Sequence, residues 1–510
     1  MAAAIATFMA LPSVSQAAPL ALTDPASPGE TRPAAGQSLF DDLFRDGDGY
    51  ALPYPFERLT AAIAKQNGGV RPRAVLIPLG RSLQRLSADP DYFGSPRVVV
   101  GVDAAGARAA RHLKDRLFIG YQPKSTSLEV ISYNQAAGRF EFQVVSNYTD
   151  ARKPLVEYAD RELCTGCHQG HAPIFPIAQW NETNANPGIA ARMTGLGAAF
   201  HGVPVNRGID EPDALDQAVL RANRLILAPF VWRQLCAAAP GLKPPDCRAA
   251  LLLAALRWRL GGSRGPWRTA EDAVLAAALH AGLRKLAPDG VAIASPSLPD
   301  RNPLIELDAG VRPMEAVEPE GVYDPALPRA AHLLVGPADS AADLLALAVG
   351  AIGETIPPAV IVAIDAALAR HAGAATSVAA DCAVERVAGE IRFESTDPAL
   401  ALSGYVSSSG GGAISRLALR GRAPLGGLKV SAGPGRELRL AESALGLTAR
   451  LATGERLSPL RLGDGRAEIT VIDDVAALRR AVAAMDPSII EAGPQGFAPM
   501  LMGGLARPAP

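Results

Sequence analysis

In the stretch "RELCTGCHQGHAPIFP", Arg161 to Pro176, two thiols and an imidazole fall within five residues: Cys164, Cys167 and His168 form C-x-x-C-H. Two thiols three positions apart can add across the two vinyl groups of one porphyrin. The imidazole of the next residue then lies beneath the iron as its proximal ligand. The spacing therefore predicts one haem c per chain, held by Cys164 and Cys167, with His168 on the iron. Two other uses of these residue types stay open. A structural zinc site could use Cys164 and Cys167 with His168 or His171. It normally needs a second ligand pair at a defined distance, and Cys236, Cys247 and His201 lie too far along the chain to form one. A thioredoxin-like C-x-x-C opens a helix, whereas here Pro173 and Pro176 follow too closely to sustain one.

The iron's other axial position is less legible. Met193, in "GIAARMTG", is the distal candidate, and thioether ligation would raise the potential. A lone Met at helix spacing is also ordinary core filling. His171 is tethered to the face that His168 already serves and suits a polar contact at the haem edge. His201, in "AAFHGVPV", is the other local candidate, against the role of a hydrogen-bonded histidine. Trp180 and Arg192 could flank the haem or its propionates, or simply pack and pair. His112, beside Arg111 and Lys114, reads as a solvated face, and His280, His332 and His371 have no partner at ligand spacing.

Through Cys164, Cys167 and His168 the chain resembles a mono-haem c-type cytochrome of the bacterial periplasm. A wider resemblance, over about Leu76 to Met193, is to uncharacterised bacterial cytochrome-c-like proteins that contain C-x-x-C-H. It runs through "LIPLGRSLQR", "LKDRLFIGY", "VISYNQAAGRFEFQVV", "CTGCHQGHAPIF" and "ETNANP". The likeness implies haem binding and electron transfer with a redox partner protein it does not name, and it supplies no further activity. The motif lies about 160 residues into the chain and follows much expected strand, so the all-helical fold of small cytochromes is not expected.

The elements that must position this motif follow from composition and pattern. With 510 residues, several domains are expected. The balance of 50 Lys plus Arg against 51 Asp plus Glu, without a long run of either sign, argues against nucleic acid or an anionic membrane surface as the main partner. Residues 1–18 resemble a secretory signal peptide lacking its basic front, and 19–37 read as linker. This places the protein in the periplasm or outside the cell, with no membrane span in the mature chain. Residues 38–205 form the expected haem-binding α+β region, with strands at "AVLIPLG", "PRVVVGVD", "LEVISYN" and "RFEFQVVSNY". Helical periodicity covers 206–290, and Thr269 with Asp272 reads as a capping box. A linker is expected over 291–335, a helical pair over 336–375, and a β-rich antiparallel region, sandwich-like or barrel-like, over 380–480. Residues 481–510 read as a tail.

Cys236 and Cys247 flank a proline-rich link between two expected helices and are natural disulfide partners in an oxidising compartment. Cys382 is then the odd thiol, expected to be buried. The overall expectation is a multidomain α+β protein that carries electrons rather than catalysing a reaction. Two alternatives are a peroxidase- or oxygenase-like haem enzyme with an open distal site, and a haem-containing sensor or binding protein.

Overall fold

The computed structural model describes residues 18–22, 29–33, 36–79, 88–103, 113–150, 153–165, 183–206, 210–261, 270–293, 332–370, 375–442, 446–451 and 454–493. The expected signal peptide lies almost wholly outside them. The first element is a strand, β1 (Leu20–Leu22), which pairs in parallel with Val291–Ile293; that strand in turn pairs with His332–Val335. All three fall where the surrounding Pro- and Gly-rich composition reads as linker, at 19–37 and 291–335. The correction has a simple cause: runs of three or four residues are too short to show a period. Val291, Ile293 and Val335 are nonetheless fully buried in the helical core.

Next come α1 (Leu39–Phe44), the small hairpin β2 (Arg45–Asp46) and β3 (Gly49–Tyr50), and α2 (Phe56–Gln66). A six-stranded antiparallel meander follows: β4 (Arg73–Ile77), β5 (Arg97–Gly101), β6 (Leu117–Gln122), β7 (Ser127–Asn134), β8 (Arg139–Ser146) and β9 (Leu155–Tyr158). Then come α3 (Arg161–Thr165), α4 (Pro187–Thr194), the two-residue strands β10 (Ala199–Phe200) and β11 (Val203–Pro204), and α5 (Asp210–Arg224). The sheet is covered on both faces. Leu59 and Ile63 of α2 and Ile189 of α4 pack with Val98, Ile119 and Val130 on one side. Leu215, Ala218 and Val219 of α5 cover Val75, Phe118 and Phe140 on the other.

The helical module contains α6 (Leu227–Phe230), a π-helical turn (Val231–Leu235), α7 (Cys236–Ala238), α8 (Pro244–Leu260) and α9 (Ala270–Leu286). It continues through β12 (Val291–Ile293), β13 (His332–Val335), α10 (Ala341–Thr355) and α11 (Pro358–Ala369). A disulfide joins Cys236 to Cys247, both fully buried, across α7 and α8. Asp272 accepts from Arg257 at 2.6 Å, while its expected capping partner Thr269 lies outside the described residues. Among the described residues no single helix is long and apolar enough to cross a membrane. α10 and α11 are apolar enough only as a pair, and they meet at 96° with Ile352, Ile361 and Ile364 buried in the helical core.

The last module has the strands β14 (Ala375–Asp381), β15 (Ala383–Val387), β16 (Glu390–Ser395), β17 (Leu400–Ser407), β18 (Gly411–Leu419) and β19 (Leu428–Ala432). It is completed by β20 (Glu437–Ala441), β21 (Glu455–Leu457), β22 (Leu460–Gly463) and β23 (Arg466–Asp473). All ten belong to one antiparallel sheet, whose path begins at β14 and ends at β15. Those end strands are separated in sequence by Cys382 alone. The sheet must therefore curl back on itself, which makes it barrel-like rather than a pair of facing sheets.

The chain then corrects the expectation of a tail from residue 481. After α12 (Val475–Ala483), α13 (Pro487–Ala492) also returns to the helical core, where Leu478, Met485 and Ile490 are buried. The indole N–H of Trp232 donates to the Ile490 carbonyl at 2.9 Å. At this junction Arg450 bridges Asp365 of α11 (2.8 Å) and Asp474 (2.6 Å), and Arg456 of β21 reaches Asp474 at 2.8 Å, all four side chains being buried. Breaking a buried pair leaves an uncompensated charge. Asp474→Ala should therefore cost about 3–5 kcal/mol in urea unfolding followed by tryptophan fluorescence. An unchanged midpoint would show that the cluster does not hold the two modules together.

Candidate functional site

Cys164 sits on α3, a single helical turn that starts just past the edge strand β9. Asp160 begins the turn: its carboxylate accepts from Glu162 N at 3.0 Å and its carbonyl from Cys164 N at 3.2 Å. Arg161 anchors it. The buried guanidinium donates to the Phe140 carbonyl (2.6 Å) and to Glu141 Oε2 (3.3 Å) and lies 5.5 Å over the Phe142 ring. Burial, and then the nearby Arg139, pulls Arg161 down to about 10, which leaves it cationic at neutral pH. Residues three apart on a helix share a face. Fixing Arg161 therefore fixes the bearing of Cys164, whose side chain is half-buried. Cys167 and His168 lie outside the described residues, as do His112, His171, Trp180 and His371.

The chain re-enters beside β4, at the opposite edge of the sheet. Asn184 pairs with Leu76 much as another strand would: its N–H donates to the Leu76 carbonyl and its Oδ1 accepts from Leu76 N, both at 2.9 Å. Its Nδ2 donates to the Val205 carbonyl at 2.7 Å. Asn186 caps α4 through Gly188 N at 2.9 Å, and Pro187 takes the first helical position, as the sequence suggests. The motif is thus tied down at both ends, by Arg161 and by Asn184.

Met193 is wholly buried on α4 among the hydrocarbons of the sheet core. The Arg192 guanidinium lies 5.7 Å over the Phe93 ring. His280 lies on α9 and His332 on β13. Cys382 is buried, with its thiol pKa raised by burial. Among the described residues, no group of three or more His, Cys, Asp and Glu could hold a metal ion.

Two further constellations have no local signature in the sequence. The carboxylate of Asp41 accepts from Tyr50 Oη (2.7 Å), Tyr158 Oη (2.5 Å) and Gln143 Nε2 (2.7 Å). Burial, and then the bond to Asp41, pushes both tyrosine pKa values up. The second is a cleft of about 510 Å³ between α2, β4, the β10–β11 turn and α5, containing Glu57, Arg71, Arg73, His201 and Glu211. His201 and Gly202 are the central residues of that turn, with φ of +50° and +77°. Two positive φ values match the twist of a tight hairpin. A Cβ on Gly202 would stand 2.9 Å from Glu57 Cγ, which argues for glycine there. The His201 ring meets Tyr121 edge-on at 4.9 Å.

No protein-family model matches this chain, and neither a curated protein nor a solved structure matches it.

Burial lowers the pKa of His201 from its ordinary 6.5, with Glu57 opposing the shift. The unfolded chain then takes up this proton more readily than the folded one. The residue costs stability as pH falls through 6.5 and nothing well above it. His201→Asn keeps a residue that tolerates left-handed backbone. It should reduce the loss of unfolding free energy between about pH 7.5 and about pH 5. An identical pH profile would show that His201 is no less protonated in the folded state.

Proposed function

We propose that this chain is a periplasmic or secreted haem c protein that carries electrons through one covalently bound haem, in the manner of a mono-haem c-type cytochrome. The carrying observation is C-x-x-C-H at Cys164, Cys167 and His168. The described part of the motif fits attachment: Cys164 presents a half-buried thiol on a turn that Asp160 and Arg161 hold in place. Bound haem would supply a reversible one-electron iron couple. Cys164 and Cys167 would hold the ring, and His168 would ligate the iron. The Cys236–Cys247 disulfide supports an oxidising compartment, as does the leader-like N-terminus.

Protein matured with haem-attachment machinery should give a thioether-type band in its pyridine haemochrome spectrum. Cys164→Ser with Cys167→Ser should abolish covalent haem while leaving the near-ultraviolet circular dichroism of the core intact. A wild-type chain without covalent haem would sink the reading. A ferric spectrum indifferent to cyanide fits electron transfer, whereas a high-spin spectrum that shifts with cyanide or peroxide would move the chain to the peroxidase- or oxygenase-like class.

The burial of Met193 supports a packing role. Met193→Ala should cost about 2–5 kcal/mol of stability and leave the ferric absorption spectrum unchanged. A change in the spectrum would put the thioether on the iron.

A further inference from the structure

We propose that the cleft beside His201 binds a small amino-carboxylate, an amino acid or a short peptide, with its ammonium toward Glu57 and its carboxylate toward Arg71. The cavity of about 510 Å³ falls in the range of small-ligand sites. Two carboxylates and two guanidiniums line it, so their formal charges cancel. Arg73 and Glu211 are already engaged. They pair with each other at 3.2 Å, Arg73 also reaches Asp103 at 3.3 Å, and Glu211 also accepts from Ala74 N at 3.3 Å. Glu57 and Arg71 are left, and among the described residues neither side chain forms an ion pair.

Glu57 carries a further sign of an unmet need. Its Oε2 is sealed from solvent and, among the described residues, has no hydrogen-bond donor, an arrangement that folding penalises unless something else compensates the charge. Glu57 lines the cleft, so an ammonium held there would offset the charge of the carboxylate even though Oε2 itself is covered. Arg71, exposed two residues before β4, can meet a carboxylate with two parallel N–H donors. His201 is biased toward its neutral form by burial, so it leaves room for a cationic group. Its left-handed backbone, uncommon for a non-glycine residue, is the kind of local strain that collects at binding sites.

The arrangement also decides selectivity. A simple anion near Arg71 would face Glu57, and a simple cation near Glu57 would face Arg71; a zwitterion satisfies both. Val100 and Val203 supply apolar wall for an aliphatic side chain.

Isothermal titration of the full chain with L-leucine and with the dipeptide Ala-Leu tests the proposal. N-acetyl-L-leucine lacks the ammonium and L-leucinamide lacks the carboxylate. At least one zwitterion should bind, and both single-charge analogues should bind at least about tenfold more weakly. Glu57→Gln, nearly isosteric, should remove the discrimination against N-acetyl-L-leucine. Arg71→Met, at an exposed position, should remove that against L-leucinamide. No heat from either zwitterion at millimolar concentration would overturn the proposal, as would equal binding of the analogues or unchanged selectivity in both variants. No lining residue belongs to C-x-x-C-H, so the outcome is independent of the haem reading.

Discussion

The last carbonyls of a helix lack partners in its own ladder, and the end of α10 meets that requirement in part with side chains from outside the helix. Arg259 of α8 donates to the Gly353 carbonyl at 3.1 Å. Arg116, at the foot of β6, donates to the Glu354 carbonyl at 2.7 Å, and Gln135 of the β7–β8 turn donates to the Thr355 carbonyl. Cations at a helix C-terminus also oppose its dipole, and the Glu354 carboxylate faces Arg116 at 3.5 Å. Gly353 permits this meeting, because a Cβ there would stand 2.5 Å from the Trp258 ring. The sheet that ends at α3 is thereby registered against the helical module. The sharp turn into α11 then carries the same registration to Asp365, where the curled sheet is attached.

How much of this was legible in the sequence depended on how local the cause was. Strands β5 and β7 alternate or are β-branched, and their runs mark them. β6, "LFIGYQ", is buried on both faces, so it lacks the period of two by which a half-exposed strand is recognised. "LTARLATG" has a strand-like pattern, yet its described residues form isolated bridges rather than a strand, Ala441 with Thr448 and Arg450 with Arg456. There Arg450 is drawn into a buried charge cluster whose partners lie on α11 and just before α12. No window of sequence can display that pairing. The same holds for α13, whose "PSII" looks unremarkable until Trp232 is found donating to Ile490.

The site divides in the same way. C-x-x-C-H is legible because its residues are adjacent, and Asn186–Pro187 is legible because a helix start is a local event. The anchor Arg161 is not, since its partners lie on β8. The cleft is built from positions as far apart as Glu57 and Glu211, and its one local trace is the dipeptide His201–Gly202, which signals a turn rather than a site. The Asp41 cluster, joining α1 to Tyr158 of β9, leaves no trace at all.

The curled sheet is an insertion: it leaves the helical core after α11 and hands the chain back at α12. On a ribosome that order matters, because domains tend to assemble as their residues emerge. The six strands that flank Cys164 and Asn184, and the helix α5 behind them, are available before half of the chain has been made. The helical core must wait for α12 and α13, with the surface that Leu478 and Ile490 will cover left open through the synthesis of ten intervening strands. The same topology makes the chain's two ends unequal under damage. Loss of the last few helical residues would uncover the helical core, while the sheet beside Cys164 keeps a core of its own.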